Sequence, residues 1–480
     1  MAEVVVKSGA LRGLFGVPVD VRVSLDPEAS PGLAVVDLPK PAMQETRVRV
    51  RSALAASGVA LAQGAFTVRL EPASGGALLG ATSGFDLAIA VGMARLSGME
   101  MEVDTRFFGE LALDGSLRPI RGALVLAEMA HLEGLREDHA VESVFPESVA
   151  REAALSGGVV HGAASLRDVL SGTWKRVVDR GMPQARAADV DFTDVVGQAS
   201  AIRAVEVALV AGTGVLFVGP PGSGATMIAR RISSVLPEMT QAERLEATRV
   251  HSVAGLLQPY SAGVESRPFR APHHTCSTAG LVGGGAVPRP GEVSLATNGV
   301  LFLDEVGEFQ RATLEALSHA LTEERACFTR GRETVSYPTR CRLAASMLPC
   351  PCGYALDDAS SSSLHLCKCG ADAIERHRAR VLESALARAG HLGVVARVQP
   401  VRYDGAKLAG ESSTVIRARV AAGLARAAGR REPDCPRPLV ERLAWAIADL
   451  DGETHLTDRG LEEAYRLTGR NPFYTGGHDA

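Results

Sequence analysis

Lysine is scarce in this 480-residue chain, whose 51 basic side chains are mostly arginine. Charge of one dominant sign is also missing. The formal net charge of -4 excludes a global pull towards nucleic acid, so DNA binding would need a local basic surface. No uncharged apolar run reaches the ~20 residues of a membrane span, which argues against a membrane partner. The opening Met-Ala-Glu-Val-Val-Val-Lys lacks the cationic and then apolar order of a secretory leader. Tandem repeats are absent, and low complexity is confined to Ser360–Ser363, read as a loop tip. Of eight cysteines, four form two C-x-C pairs and four are scattered, which points to a reducing cytoplasm rather than a disulfide framework. What is present, 46% hydrophobic and 22% charged residues, describes a folded soluble chain with apolar surface for about three domains.

The most consequential absence is a single residue. Val215-Leu-Phe-Val218, after Gly214, reads as a buried parallel strand, Gly219-Pro-Pro-Gly-Ser-Gly224 as a turn, and Thr226 opens a helix. Strand, glycine loop and helix form a cradle whose backbone N–H groups and helix N-terminus hold a polyphosphate. The pattern G-x-x-x-x-G-K-[ST] wants lysine after Gly224, and this chain has Ala225. Downstream, Gly299-Val-Leu-Phe-Leu-Asp304-Glu305 is an apolar strand ending in two acids. In nucleotidases of this type the first acid helps hold Mg²⁺ and the second orients or activates water.

Strand and helix signals alternate over residues 1–172. Strands are expected at Val17–Leu25, Gly32–Leu38 and Phe66–Leu70, with helices at Ala42–Ala56, Asp86–Leu96, Gly122–Leu132 and Glu147–Leu155. Asp114-Gly115 marks a hairpin turn. Residues 173–190 are polar and aperiodic and read as a linker; 191–398 carry the nucleotide machinery. Residues 399–480 read as helical, with helices at Ser412–Arg430, Pro438–Asp451 and Asp458–Leu467, the last capped by Thr457. The tail from Asn471 reads as frayed.

Several motifs stand in one order. They are Phe108-Gly-Glu-Leu-Ala-Leu-Asp-Gly-Ser-Leu-Arg-Pro119, Asp194-Val-Val-Gly-Gln198, the glycine loop, Arg267-Pro-Phe-Arg-Ala-Pro-His-His-Thr275 and Pro288-Arg-Pro-Gly-Glu-Val-Ser-Leu295. Leu301-Phe-Leu-Asp-Glu305, Pro349-Cys-Pro-Cys-Gly-Tyr354 and Ala446-Ile-Ala-Asp-Leu450 complete the series. Together they resemble the ComM/YifB family of magnesium-chelatase-like AAA+ proteins. The resemblance implies an α/β chain with a Lon-protease-like (ribosomal-S5-like) N-terminal domain, an AAA+ core and a small helical lid. It implies ATP and Mg²⁺ as cofactors, hexameric rings, and DNA branch migration during recombination of incoming DNA. It places nucleotide against Gly219, Pro220, Pro221, Gly222, Ser223, Gly224, Ala225, Thr226, Met227 and Gln198. Thr226 and Asp304 would hold Mg²⁺, with Glu305 and a trans-acting Arg388 as catalytic groups.

The chain departs from the family pattern at the chemistry. Ala225 replaces the cradle lysine, and Leu348 replaces a polar residue that senses the γ-phosphate. Arg388 keeps the finger position but lacks its flanking acids, and Arg437 is a weak stand-in for the lid arginine. Arg230 and Arg231 are candidate surrogate cations. Losing one charge-assisted hydrogen bond costs about 1.5–3 kcal/mol, so weak binding survives. Removing one transition-state donor costs ~10²–10³ in rate, so turnover suffers most. Three functions follow: an ATP-driven DNA motor, an inactive structural or regulatory ring subunit beside an intact paralogue, and a subunit inserting metal into a tetrapyrrole. The Lon-like domain argues against the third. A Ser–Lys peptidase is disfavoured too, because Lys7 and Lys40, the only lysines of that domain, lack the matching context.

Cys350, Cys352, Cys367 and Cys369 could present four thiolates to Zn²⁺, with His365 in reserve. Because C-x-C is tighter than the usual spacing, reduced structural cysteines are an equal alternative. His273 and His274 are expected to shape a ring-interior or DNA-facing loop, with Arg267, Arg270 and Arg289 as phosphate contacts or as a plain solvated surface.

Overall fold

The computed structural model describes residues 2–36, 40–73, 84–101, 104–182, 190–330, 333–355, 366–400, 409–430 and 437–468. Ser360–Ser363, His365 and the tail from Asn471 lie outside them. Two large sheets organise the chain. The first has eight strands in the order Lys175–Val177, Val159–Ala163, Glu142–Pro146, Arg106–Phe107, Ala2–Arg12, Phe15–Asp26, Ala65–Pro72 and Gly32–Val35. Its backbone is a long antiparallel hairpin in which Ala2–Arg12 pairs residue for residue with residues 15–25. Helices Lys40–Ala56 and Asp86–Leu96 share a core with it, in which Val21, Val23, Leu54, Leu87 and Ile89 are fully buried.

Two features differ from the sequence-based expectation. Ala2–Arg12 was not expected as a strand, because its outer end is exposed and no alternation marks it. Lys175–Val177, expected in a linker, pairs antiparallel with Val159–Ala163 as an edge strand. Such an edge is half solvated and tolerates Lys and Arg, which removes the apolar signature of a strand.

The second sheet has the order Phe269–Arg270, Val300–Leu303, Arg342–Met347, Gly214–Val218 and Leu392–Arg397, and every pairing in it is parallel. Alternate residues face two separate cores. Val215, Phe217, Val300 and Phe302 meet the helices Ala199–Ala211, Ala225–Val235, Ser413–Gly429 and Leu439–Asp451. Leu216, Val218, Leu301 and Leu303 pack on the other face against Leu314, Leu317 and Leu386. Burial on both faces is why these strands read as unbroken apolar runs. Helix Asp458–Leu467 begins at Thr457, whose hydroxyl accepts from Gly460 N. Among the described residues no helix is long and apolar enough to cross a membrane.

The helix Gln241–Ala254 joins the two sheets' surroundings. Arg249 forms a two-pronged ion pair with Glu128, and Gly122 N donates to Ser252 O at 2.9 Å. Beside them Ser252 Oγ donates to Glu152 Oε1 at 2.9 Å, and the Glu152 side chain is buried. Burial pushes this carboxyl up to about 7, against the hydrogen bonds it accepts from Ser252 and from the backbone of Leu124 and Ala123. A folded-state value above the unfolded one means that the native protein holds a proton the unfolded chain gives up. The stability this group contributes is therefore fully present below its unfolded value of 4.5 and is lost as pH rises from there to about 7. Glu152→Gln should remove that loss, so its stability advantage should grow by roughly 2–3 kcal/mol between about pH 5 and pH 8. Thermal melts across that range check this; a pH-independent difference would contradict it.

Candidate functional site

The ends of the parallel strands bring the glycine loop, Asp304 and Glu305, and Leu348 together. Val218 lies opposite Met347 on one side and Arg397 on the other. Gly219 continues from Val218 between Val398 and Ser223. A Cβ on it would lie 2.3 Å from Val398 O and 2.7 Å from Ser223 Oγ, so only glycine fits. Ser223 N donates to Pro220 O at 3.1 Å, and Gly222 and Gly224 take left-handed φ values of 76° and 95°. The helix Ala225–Val235 then starts, its first-turn N–H groups lacking intrahelical acceptors. Gln198 is buried and donates its amide to Ser223 O (3.1 Å) and Gln399 O (2.6 Å), so its nitrogen braces the loop.

Thr226 Oγ1 donates to Asp304 Oδ2 at 3.2 Å, joining the helix start to the acid strand. Ser346 Oγ donates to Asp304 Oδ1 at 2.5 Å and accepts from Glu305 N at 2.9 Å. Glu305 sits at φ 51°, a left-handed conformation costing about 1–2 kcal/mol outside glycine, and its side chain is exposed. Ser346 was missed by sequence reasoning. Its signal was a lone hydroxyl at the acid end of the apolar strand Arg342–Met347.

The side of the loop that carries Ala225 and Leu348 is different in character. Ala225 is partly buried and, with Met227, packs against the core. The surrogate arginines are engaged elsewhere. Arg231 bonds Asp194 Oδ2 and Asp191 O, each at 2.7 Å, and Arg230 lies 5.9 Å above the Phe269 ring. Leu348 follows Met347 and takes no polar role; its carbonyl accepts from His377 Nε2 at 2.9 Å. His377 belongs to the helix Ala371–Leu382, which the sequence pattern did not indicate. With Arg376 and Arg380 it lines a cleft shared with Glu305 and Leu348. The signal available was the Arg376 and Arg380 pair at one-turn spacing.

Arg388 is exposed and ends the short helix Ala385–Arg388. Leu392 pairs with Gly214, so Arg388 lies at the sheet edge opposite its own cradle. Arg437 pairs with Glu441 at 3.6 Å and stands 5.2 Å from the Trp445 ring, on the C-terminal helices. Arg267 and Arg270, candidates for phosphate contact, serve inside the fold instead. Arg267 donates to Pro237 O and Asn298 O, and Arg270 makes a two-pronged pair with Glu292. Buried carbonyls and a carboxylate outcompete solvent for them. The His273 and His274 rings are 4.1 Å apart, with His273 Nδ1 2.9 Å from Thr275 Oγ1. Arg289 is exposed and borders, with Arg12, Arg121 and Arg330, a crevice between the first sheet and the hairpin Arg325–Arg330/Glu333–Pro338. The sulfurs of Cys350, Cys352, Cys367 and Cys369 all lie within 4.8 Å of one another.

The chain matches the family described as "Magnesium chelatase, subunit ChlI" over residues 191–401 and that described as "Subunit ChlI of Mg-chelatase" over residues 19–139. An uncharacterised protein of Mycobacterium tuberculosis, Rv2897c, is 36% identical over 96% of this chain and 98% of its own length. Competence protein ComM of Haemophilus influenzae is 36% identical, covering 74% of this chain and 70% of its own. A partial likeness of 31% over 150 residues links the chain to Lon protease 2 of Bacillus subtilis.

The close approach at Gly219 predicts that Gly219→Ala loses at least ~2 kcal/mol of stability. Gly222→Ala, with open space around it, should lose only ~1 kcal/mol from its positive φ. Urea midpoints compare them; equal costs would contradict the packing of this loop.

Proposed function

Because this chain belongs to the ComM/YifB family of magnesium-chelatase-like AAA+ proteins, we propose that it is a ring subunit that binds nucleotide weakly, turns it over slowly and acts on DNA. The observation carrying this reading is the split character of the site. The Thr226–Asp304–Ser346 network is intact, while Ala225 and Leu348 offer the γ-phosphate side no polar group. The cradle suits a polyphosphate, since Gly219 leaves no room for a side chain and Gly222 and Gly224 turn the backbone back on itself. The first-turn N–H groups would hold the phosphates, and Thr226 and Asp304 the Mg²⁺. That ion supplies positive charge to phosphate oxygens. Glu305, exposed beside the cleft, would orient water and accept its proton.

Ring assembly, hexameric in this reading, is supported by Arg388, exposed at the edge away from its own cradle, where only a neighbouring subunit's nucleotide could meet it. The same observation favours a second reading. A subunit with a weakened site of its own that keeps Arg388 could complete the site of an intact paralogue in a mixed ring. DNA contact is assigned to the arginine-bordered crevice around Arg121, Arg289 and Arg330 rather than to Arg267 and Arg270.

Ala225→Lys should tighten ATP binding by about 10-fold or more in a fluorescence titration. Phosphate release should recover only when Leu348→Asn is added, because both groups act on one transition state. Full recovery by Ala225→Lys alone would refute the role given to Leu348. DNA binding should weaken steeply with salt, and Arg289→Ala with Arg330→Ala should reduce it at low salt. Unchanged mobility of forked and single-stranded DNA with protein in excess at low salt would end the DNA reading.

A further inference from the structure

The four sulfurs of the C-x-C pairs come from separate stretches. Cys350 and Cys352 follow the strand Arg342–Met347, and Cys367 and Cys369 precede the helix Ala371–Leu382. Cys350 is buried and the other three are half-exposed. Sγ separations are 3.3 Å for Cys350–Cys352, 3.7 Å for Cys350–Cys367 and 3.6 Å for Cys352–Cys367. A tetrahedral Zn²⁺ with Zn–S bonds of ~2.3 Å has edges of about 3.8 Å, whereas a disulfide needs ~2.05 Å. The spacing therefore matches four ligands around one ion, and the tight C-x-C spacing is no obstacle to it. Cys352 Sγ also accepts from the backbone N–H groups of Tyr354 and Lys368, the outer contacts that steady a metal-bound thiolate. Apolar packing accounts for the buried Cys350 but not for three half-exposed thiols converging on it.

We propose that Cys350, Cys352, Cys367 and Cys369 bind a structural zinc ion that staples the helix Ala371–Leu382 to the sensing loop of the cleft. The loop beyond Cys352 rests on the cradle: a Cβ on Gly353 would come within 2.8 Å of the Pro221 ring. From the helix, His377 Nε2 donates to Leu348 O and Arg378 Nε to Pro349 O. The ion closes this circuit from the side the hydrogen bonds leave open. Zinc loading thus decides whether Arg376 and Arg380 stay against the cleft they line with Glu305.

Metal analysis of the full chain, expressed with zinc and purified without chelator, should give about one zinc per chain. The pair Cys352→Ser with Cys367→Ser should drop it below about 0.1, while Cys327→Ser, an exposed thiol elsewhere, keeps it. Should the double variant misfold, cobalt substitution of the unmodified protein still decides, through the visible bands of a tetrahedral thiolate site. Hydrogen exchange in the helix Ala371–Leu382 should quicken on metal removal while the strand Gly214–Val218 stays protected. Absence of metal, iron in place of zinc, disulfides among the four cysteines, or unaltered helix exchange would overturn the proposal. Metal content and exchange are read without nucleotide, so weak or absent nucleotide binding alters neither.

Discussion

Parallel register in the five-stranded sheet is the constraint on which the site depends. Leu303 lies opposite Ala345, Met347 opposite Val218, and Val218 opposite Arg397, so four strand ends stop at one edge. A slip of one residue would turn Leu216 and Phe217 to the wrong cores and move Asp304 away from Thr226. Both faces of the sheet are buried, which makes such a slip expensive at about 1.5–3 kcal/mol for each large side chain exposed. Site geometry is therefore held by the packing of the whole sheet, and hydrogen bonds such as Ser346 to Asp304 refine it.

That frame is intact although the chemistry set upon it is uneven. Gly219, Gly222 and Gly224 keep the backbone cradle, and Thr226, Asp304 and Ser346 keep one hydrogen-bonded network beside it. Ala225 packs towards the apolar core, while Arg231 and Arg230 of the same helix are held by Asp194 and Asp191 and by the Phe269 ring. Recruiting Arg231 would break a charge-assisted hydrogen bond worth about 1.5–3 kcal/mol. Arg376 and Arg380 line the cleft with Glu305 and Leu348, on a helix tied to the carbonyls of Leu348 and Pro349. Arg380 already faces Glu308 at 3.7 Å and is more exposed, so it is the cheaper of these contacts to break.

Much of this was legible in the sequence because local and global signals agree there. Residues 215–218 and Val300–Leu303 are short apolar runs, each preceded by glycine, and both lie in core strands. Asp86–Leu96 and Asp458–Leu467 have the bounds that their periodicity and caps indicate. Asp114-Gly115 turns between Glu110–Leu111 and Leu117–Arg118. Where the signal is long-range, the sequence pattern misleads. Ala2–Arg12 is specified by its partner Phe15–Asp26 rather than by its own pattern, and Lys175–Val177 is an edge strand held from one side. The helix Ala371–Leu382 is strongly charged, so its pairing with the Leu348 loop left no apolar stripe to see. The roles of Arg267 and Arg270 were hidden for a different reason: an arginine bound to a carbonyl or an acid and one awaiting phosphate look alike in sequence.

On the proposed reading, a nucleotide cradle survives here without effective turnover. Phosphate release by the unmodified full chain, at saturating ATP and Mg²⁺ and with bound nucleotide measured in the same sample, tests it most directly. Measurable occupancy is expected, with release slower than about 0.01 s⁻¹, two or more decades below ordinary enzymes. Release at ~1 s⁻¹ or faster, with Ala225 and Leu348 unchanged, would contradict it.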